Sequence, residues 1–208
     1  QYQTQSNIFQ QYFAYVNMLF HGDLGISMAS QLSISTEVMS FLPATIELTL
    51  VALFIAMLLG IPIGFIAAIN HRKTTDNIIL SISMIGYSIP VFWLGLLAIL
   101  VFSIQLGWLP SAGRISLLFE IEHVTGIQFI DILISESPYK WQAFMDASAH
   151  IFLPACVIAL APATIFVRLA RTAMMDVLDS QYIRAAKSKG LSFSQIIYHH
   201  AIRNAMVH

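Results

Sequence analysis

The sequence predicts an all-α polytopic membrane protein with three membrane-spanning helices and a small helical pair beyond the third. Three observations carry this. The 208 residues are 57% hydrophobic and only 10% charged, against about 25% charged in an ordinary soluble domain. Three apolar runs reach the roughly 20 residues that a bilayer crossing needs. Lys and Arg collect on one side of those runs, the asymmetry that orients membrane helices. A soluble fold could not cover its outside with so few charges, so lipid serves as part of the solvent. The single cysteine, Cys156, lies in an apolar run, so the chain has no intrachain disulfide and implies no oxidising compartment. It starts at Gln1 with no signal-peptide pattern and stops at His208 just after a basic segment. Both ends are therefore expected to be truncations.

The first span is expected over residues 46–69, with one charge, Glu47, in its opening turn. The second, 78–106, is uncharged and carries Pro90 near its middle. The third, 149–175, contains Pro154 and Pro162 and acquires Arg168 and Arg171 only near its end. Proline removes a backbone donor and kinks a helix, yet spans tolerate it where neighbours satisfy the freed carbonyl. The long connection 107–148 alternates apolar and polar stretches. It is expected to fold as short helices on the membrane surface or against a partner.

Charge sets the orientation. Arg72 and Lys73 lie between the first two spans, and Arg168, Arg171, Arg184, Lys187, Lys189 and Arg203 follow the third, eight bases against Arg114 and Lys140 on the other side. The positive-inside rule puts the N-terminal end outside and the C-terminal end in the cytoplasm, as an odd number of spans also requires. Acids partition oppositely, which leaves the outer side at net −6 and the inner side at net +5. Two readings of the acidic outer side stay open: attraction of cationic solutes, or the consequence of the insertion rule together with solubility.

Residues 177–208 are too polar for membrane and too patterned for a loose tail. Asp179 is expected to cap a helix starting near Ser180, which runs to Lys189 and ends at Gly190, suited to a left-handed C-terminal cap. Lys187 and Lys189 in its last turn favour the helix dipole. Ser192 with Gln195 forms an S-x-x-Q capping box that opens a second helix through about Asn204. The result is a basic helix–glycine–helix elbow. Ala185, Ala186 and Gly190 are small enough to let a soluble partner approach closely.

The segment from Tyr182 to Leu191, YIRAAKSKGL, followed by His200-Ala-Ile-Arg-Asn-Ala205, resembles the EAA loop of permease subunits in binding-protein-dependent ABC transporters, in the form used by the dipeptide/oligopeptide/nickel branch. Further similar segments follow in order: Gly22-Asp-Leu-Gly25, Leu42 to Leu48, Gly60-Ile-Pro-Ile-Gly64, Ser88 to Gly95, Leu106 to Gly113, Leu153-Pro-Ala155 and Arg168-Leu-Ala-Arg171. The outer loop, around residues 125–131 and 135–138, looks most like the Sap branch, named for sensitivity to antimicrobial peptides and linked to polyamines.

The resemblance implies a fragment of a type I ABC importer permease (MetI-like). Its periplasmic segment would be 1–45, its transmembrane core 46–176 with the periplasmic loop 107–148, and its cytoplasmic EAA coupling segment 177–208. It also implies one more span before Gln1, further spans after His208, an inner-membrane location, a second permease subunit, two ATP-binding subunits and a periplasmic solute-binding protein. The expected activity is alternating-access movement of peptides, with cationic antimicrobial peptides or polyamines as members of that cargo. Nickel is the rival cargo, and a membrane-embedded enzyme or scaffold is the rival class. On this resemblance Tyr182, Arg184, Ala185, Ala186, Lys189, Gly190, Leu191, His200, Arg203 and Asn204 would couple the permease to its ATPase. The glutamate that gives the loop its name is replaced by Arg184, so no dock relies on that carboxylate.

Glu47, Pro90 and Pro154 are candidate pathway or hinge residues. The alternatives are a glutamate held at the interface by the helix dipole and plain packing kinks. The bases of the elbow either meet acidic residues of a motor subunit or face solvent and lipid headgroups. His199 and His200 are adjacent and point about 100° apart on a helix, a poor shared metal site. The sequence has no H-E-x-x-H, G-x-S-x-G or G-x-x-x-x-G-K-[ST]. No catalytic role, cofactor or nucleic-acid partner is implied, and ATP hydrolysis has to come from another chain.

Overall fold

The computed structural model describes residues 8–206. Among the described residues its regular elements are all helices, apart from one isolated bridge between Ile26 and Ser33. In chain order the helices are α1 (Ile8–Phe20), α2 (Ile34–Ile69), α3 (Thr74–Ser88), α4 (Val91–Ala98, continued as a π-helical stretch Ile99–Gln105), α5 (Gln128–Ile134), α6 (Lys140–Asp179), α7 (Gln181–Ser188), α8 (Phe193–Gln195, continued as a π-helical stretch Ile196–Ala201) and α9 (Ile202–Ala205).

Two of them, α2 and α6, are long and apolar enough to cross a membrane. Both outrun the expected spans. With 36 and 40 residues they extend roughly 54 and 60 Å at 1.5 Å per residue, well beyond a hydrocarbon core of about 30 Å. An apolar window finds the part inside lipid, but a helix stops only where its backbone is interrupted. In α6 the helix begins at Lys140 because Ala143 and Ala147, one turn apart, are buried against Ile132 of the outer loop.

The pair leans together along a seam of small residues. On α2 these recur every fourth position: Ala52, Ala56, Gly60, Gly64 and Ala68, all buried. Ala155, Ala159, Val167 and Ala170 answer from α6. A Cβ built on Gly60 would stand 2.7 Å from Phe166 Cβ and 2.8 Å from the Ala163 carbonyl oxygen. On Gly64 it would stand 2.5 Å from the Val167 carbonyl oxygen. Small residues at this spacing let two backbones approach, which is how helices gain contact where lipid supplies no hydrophobic drive between them.

The second expected span is a bent pair. Helices α3 and α4 meet at 96°, so they make a third crossing only when counted together. This corrects the expected kink. Proline at position 90 lacks an amide hydrogen and forces its predecessor out of the helical region. Ile89 is extended at φ −80, ψ 128, and Pro90 at φ −60, ψ 127 becomes the N-cap of α4. By contrast Pro62 lies inside α2, and Pro154 and Pro162 inside α6, with no break in either helix. Of the candidate hinges, only Pro90 sits at an actual break.

The seam predicts that Gly64→Ala destabilises the protein by about 1–3 kcal/mol, because the new methyl meets backbone rather than a movable side chain. Gly86→Ala in α3, where nothing lies within 4 Å of the added methyl, should be neutral or stabilising by about 0.5–1 kcal/mol. Thermal unfolding of both variants in detergent, followed by helical circular dichroism, checks the contrast.

Candidate functional site

The elbow folds much as its punctuation suggests. Ser192 accepts from the Gln195 amide while the Gln195 side chain accepts from Ser192, a complete capping box. Gly190 adopts φ +81, a left-handed conformation that costs residues with a Cβ about 1–2 kcal/mol. One expectation is corrected. Asp179 caps nothing: α6 runs unbroken through it, and Ser180, extended at φ −66, ψ 153, is the N-cap of α7. The Ser180 hydroxyl donates back to the Val177 carbonyl instead of satisfying the first turn of α7.

What the elbow rests on was not legible beforehand. Ile183 and Ala186 of α7, with Ile196, Ile197, Ala201 and Ala205, form one apolar core with Phe65 and Ala68 of α2 and Ala170, Met174 and Val177 of α6. Met174, Ile183 and Ala201 are fully buried. Ala186 is thus small to suit its own chain, whereas Ala185 and Gly190 are exposed. A Cβ on Gly190 would meet nothing within 4 Å. Asn204 donates to the Tyr182 hydroxyl at 2.7 Å and ties the two arms together. Arg184, Lys187, Lys189 and Arg203 are exposed and have no ion-pair partner among the described residues. Leu191 is exposed beside them and His200 is half-buried. The elbow therefore presents a basic outer face on an apolar base seated on the ends of α2 and α6.

Beside that base lies an ion cluster that sequence reading missed. Arg171 of α6 grips Asp76 of α3 with two bonds, Nε to Oδ1 at 2.7 Å and Nη2 to Oδ2 at 2.8 Å. Asp76 is 2% exposed, and it also accepts from the Arg72 amide at 3.1 Å. Arg72 stands at φ +62, so that bond steadies a strained turn. His71 Nδ1 lies 2.9 Å from Arg171 Nη2 and 3.2 Å from Asp76 Oδ2. Unprotonated it accepts from the arginine and protonated it donates to the aspartate, never both. The available signal was an acid in the first turn of a helix directly after a short basic turn.

At the other end, Glu47 departs from its expected setting. With α2 starting at Ile34, it is not in an opening turn and has no helix dipole to hold it. It is 6% exposed and accepts from Arg114 Nη2 at 2.6 Å and from the Phe129 amide at 2.9 Å. Arg114 also donates to the Gly126 carbonyl. Asp131, fully buried, accepts from the Thr125 amide and hydroxyl and the Gly126 amide at 2.6–3.0 Å. Burial pushes its carboxyl up, but these donors outweigh that and hold it below the usual value of 3.8. Asp146 holds the Ser116 amide and hydroxyl, both at 2.7 Å. These three acids thus fasten the connection between α4 and α6, in which α5 is the one helix among the described residues. Asp23, Glu120, Glu122 and Glu136 remain exposed.

Of the candidate pathway residues, Glu47 and Pro154 line one cavity of about 120 Å³ together with Arg114 and Gln128, whereas Pro90 lines a separate one with Met84, Ser88, Phe92 and Trp93. The Gln128 side chain is buried, and neither its amide nitrogen nor its oxygen has a hydrogen-bond partner among the described residues.

Residues 60–208 match the family described as binding-protein-dependent transport system inner membrane component. The chain is 40% identical over 200 residues to the di/tripeptide transport system permease protein DppB of Pseudomonas aeruginosa (strain UCBPP-PA14), covering 96% of this chain and 59% of the relative. It is 41% identical over 190 residues to the putrescine export system permease protein SapB of Escherichia coli (strain K12), covering 91% and 59%. It is 37% identical over 203 residues to the dipeptide transport system permease protein DppB of the same strain, covering 96% and 59%. The chain spans 59% of the length of each of these relatives.

Two outcomes follow from the outer geometry. Arg114→Ala strands a buried carboxylate and should destabilise by about 3 kcal/mol. Arg114→Ala with Glu47→Gln should recover part of that loss in thermal unfolding, since the stranded charge is gone. Asp131 has a folded-state pKa below its unfolded one, so its contribution is full above the ordinary carboxylate range and is lost as pH falls through it. Amide exchange at residues 125–131 should therefore quicken, relative to the seam helices, between about pH 5 and pH 3, and Asp131→Asn should show the faster exchange already at pH 7.

Proposed function

This chain belongs to the family of binding-protein-dependent transport system inner membrane components, and on that premise we propose that it is part of a permease subunit of a peptide-class ABC transporter, driven through its elbow by a separate ATPase. The observation that carries the reading is the elbow itself. A partner that hydrolyses ATP needs a surface that is free to be gripped and firmly joined to the membrane helices. Here exposed, unpaired bases and an open left-handed glycine lie on one side of α7–α9, and a fully apolar base on α2 and α6 lies on the other. Tyr182, Arg184, Ala185, Lys189, Gly190, Leu191, His200, Arg203 and Asn204 are the contact or shaping residues of that dock, and Ala186 serves it from beneath.

The distribution of Lys and Arg supports a cytoplasmic elbow and a periplasmic loop 107–148, the last part of which is the start of α6. The working assembly in this reading has a second permease subunit, two ATP-binding subunits and a solute-binding protein outside. The mechanism is rocking of packed helices about a site between the two permease subunits. Peptide cargo is supported by relatives named for dipeptide and di/tripeptide transport. Cationic members of that cargo suit the acids that stay exposed on the outer side, Asp23, Glu120, Glu122 and Glu136.

In the full-length permease reconstituted with its partners, Gly190→Trp should insert normally and leave ATP hydrolysis running, while transport per ATP falls by more than about tenfold, the scale of a blocked interface centre. Gly190→Asn, which tolerates the left-handed backbone, should keep most of the transport. Wild-type transport by the tryptophan variant would overturn the proposal.

A further inference from the structure

We propose that the Asp76–Arg171 pair is the pin through which motion of the elbow reaches the α3–α4 arm, which makes both side chains positioning residues of transport. The inference rests on the coupling role of the elbow and adds the route by which its movement leaves α6.

Among the described residues the α3–α4 arm buries little else. Asp76 is the one buried residue of α3, and α4 has none. Further along, a cavity of about 270 Å³ lined by Leu80, Ser83, Tyr87 and Ser88 on one side and Thr164 and Arg168 on the other separates α3 from α6. Beyond the right-angle break at Pro90, a second cavity of about 370 Å³ separates α4 from His150, Leu153, Pro154 and Val157 of α6. The arm is thus fastened at its base and loosely packed along its length.

The base itself is over-determined. A two-bond guanidinium–carboxylate contact fixes direction as well as distance, and here it joins residues 95 positions apart. The same carboxylate holds the Arg72 amide in the left-handed turn that ends α2. Arg171 stands one residue from Ala170 and three from Met174, both in the core beneath the elbow, and its amide lies against Gly64 on the seam. A push on α7 therefore shifts Arg171 with α6. Because the contact is firm and α3 is one unbroken helix that meets α6 loosely beyond it, α3 swings from Asp76 when Arg171 moves.

The test uses the full-length permease with its ATPase and partner subunits in proteoliposomes. Asp76→Asn should leave ATP hydrolysis within about twofold of wild type and lower transport per ATP by about tenfold, the scale on which changes along a coupling route act. Asp76→Glu, which keeps the charge pair, should restore most of it. Spin labels on Ser81 of α3 and Thr172 of α6 give a readout that does not depend on transport. Their separation should change with ATP in the wild type and become broad and ATP-insensitive in Asp76→Asn, while a label pair between Thr172 and Ser188 of the elbow stays as in the wild type. Normal transport per ATP with an unchanged α3–α6 response in Asp76→Asn would overturn the pin. If Gly190→Trp still uncouples in the same preparation, the coupling elbow stands without it; if both variants transport normally, the elbow reading falls as well.

Discussion

The close approach of α2 and α6 is the constraint on which the other contacts depend. In lipid two apolar helices gain little from touching unless their backbones come near enough for dense van der Waals contact. The repeat Ala52, Ala56, Gly60, Gly64, Ala68 supplies that, and the 2.5 Å that would separate a Gly64 methyl from the Val167 carbonyl shows how little room is left. The elbow and the outer loop are attached to opposite ends of this pair. The elbow sits on one pair of ends, where Phe65, Ala68, Ala170, Met174 and Val177 form its floor. The outer loop sits on the opposite ends, where Ala143, Ala147 and Ile132 form a second apolar patch.

Irregular backbone at both ends is held by carboxylates rather than by more apolar packing. Glu47, Asp131 and Asp146 collect amides and hydroxyls of the outer loop, and Asp76 does the same for the turn after α2. Helix ends and turns leave backbone donors unsatisfied, and a buried amide without an acceptor costs about 1–3 kcal/mol. An ionised acid can accept several at once, which suits a short turn better than any neutral side chain. Three of the eight acids that an unpaired reading would assign to cargo attraction, Glu47, Asp131 and Asp146, are therefore structural; Glu37 is half-buried, and the acids at 23, 120, 122 and 136 are open to solvent.

Much of this was legible in the sequence where the physics is local. Gly190 announced its left-handed turn, and Ser192 with Gln195 announced the capping box, because both depend on residues a few positions apart. The all-helical class and the membrane setting followed from composition together with three apolar runs long enough to cross a bilayer. The same locality explains the misses. Asp179 has cap chemistry, but α6 continues because its far end packs against the elbow, a contact between distant segments. Glu47 looked like a first-turn acid since an apolar window cannot see that its helix starts at Ile34, and its partner Arg114 is 67 residues away. Pro90 and Pro154 look alike in sequence; one breaks its helix at 96° and the other does not. The small-residue seam was readable, being a strict repeat of four along residues 52–68, and it is the feature that a search for packing motifs finds first.

The central claim is that the basic elbow lies in the cytoplasm, riding on the inner ends of the α2–α6 pair. Labelling tests this most directly: Ser188→Cys on the exposed face of α7, in a Cys156→Ala background, treated with a maleimide that cannot cross membranes. The account predicts labelling in inverted vesicles and none in intact cells with a permeabilised outer barrier. Labelling in the intact cells would place the elbow on the wrong side and contradict it.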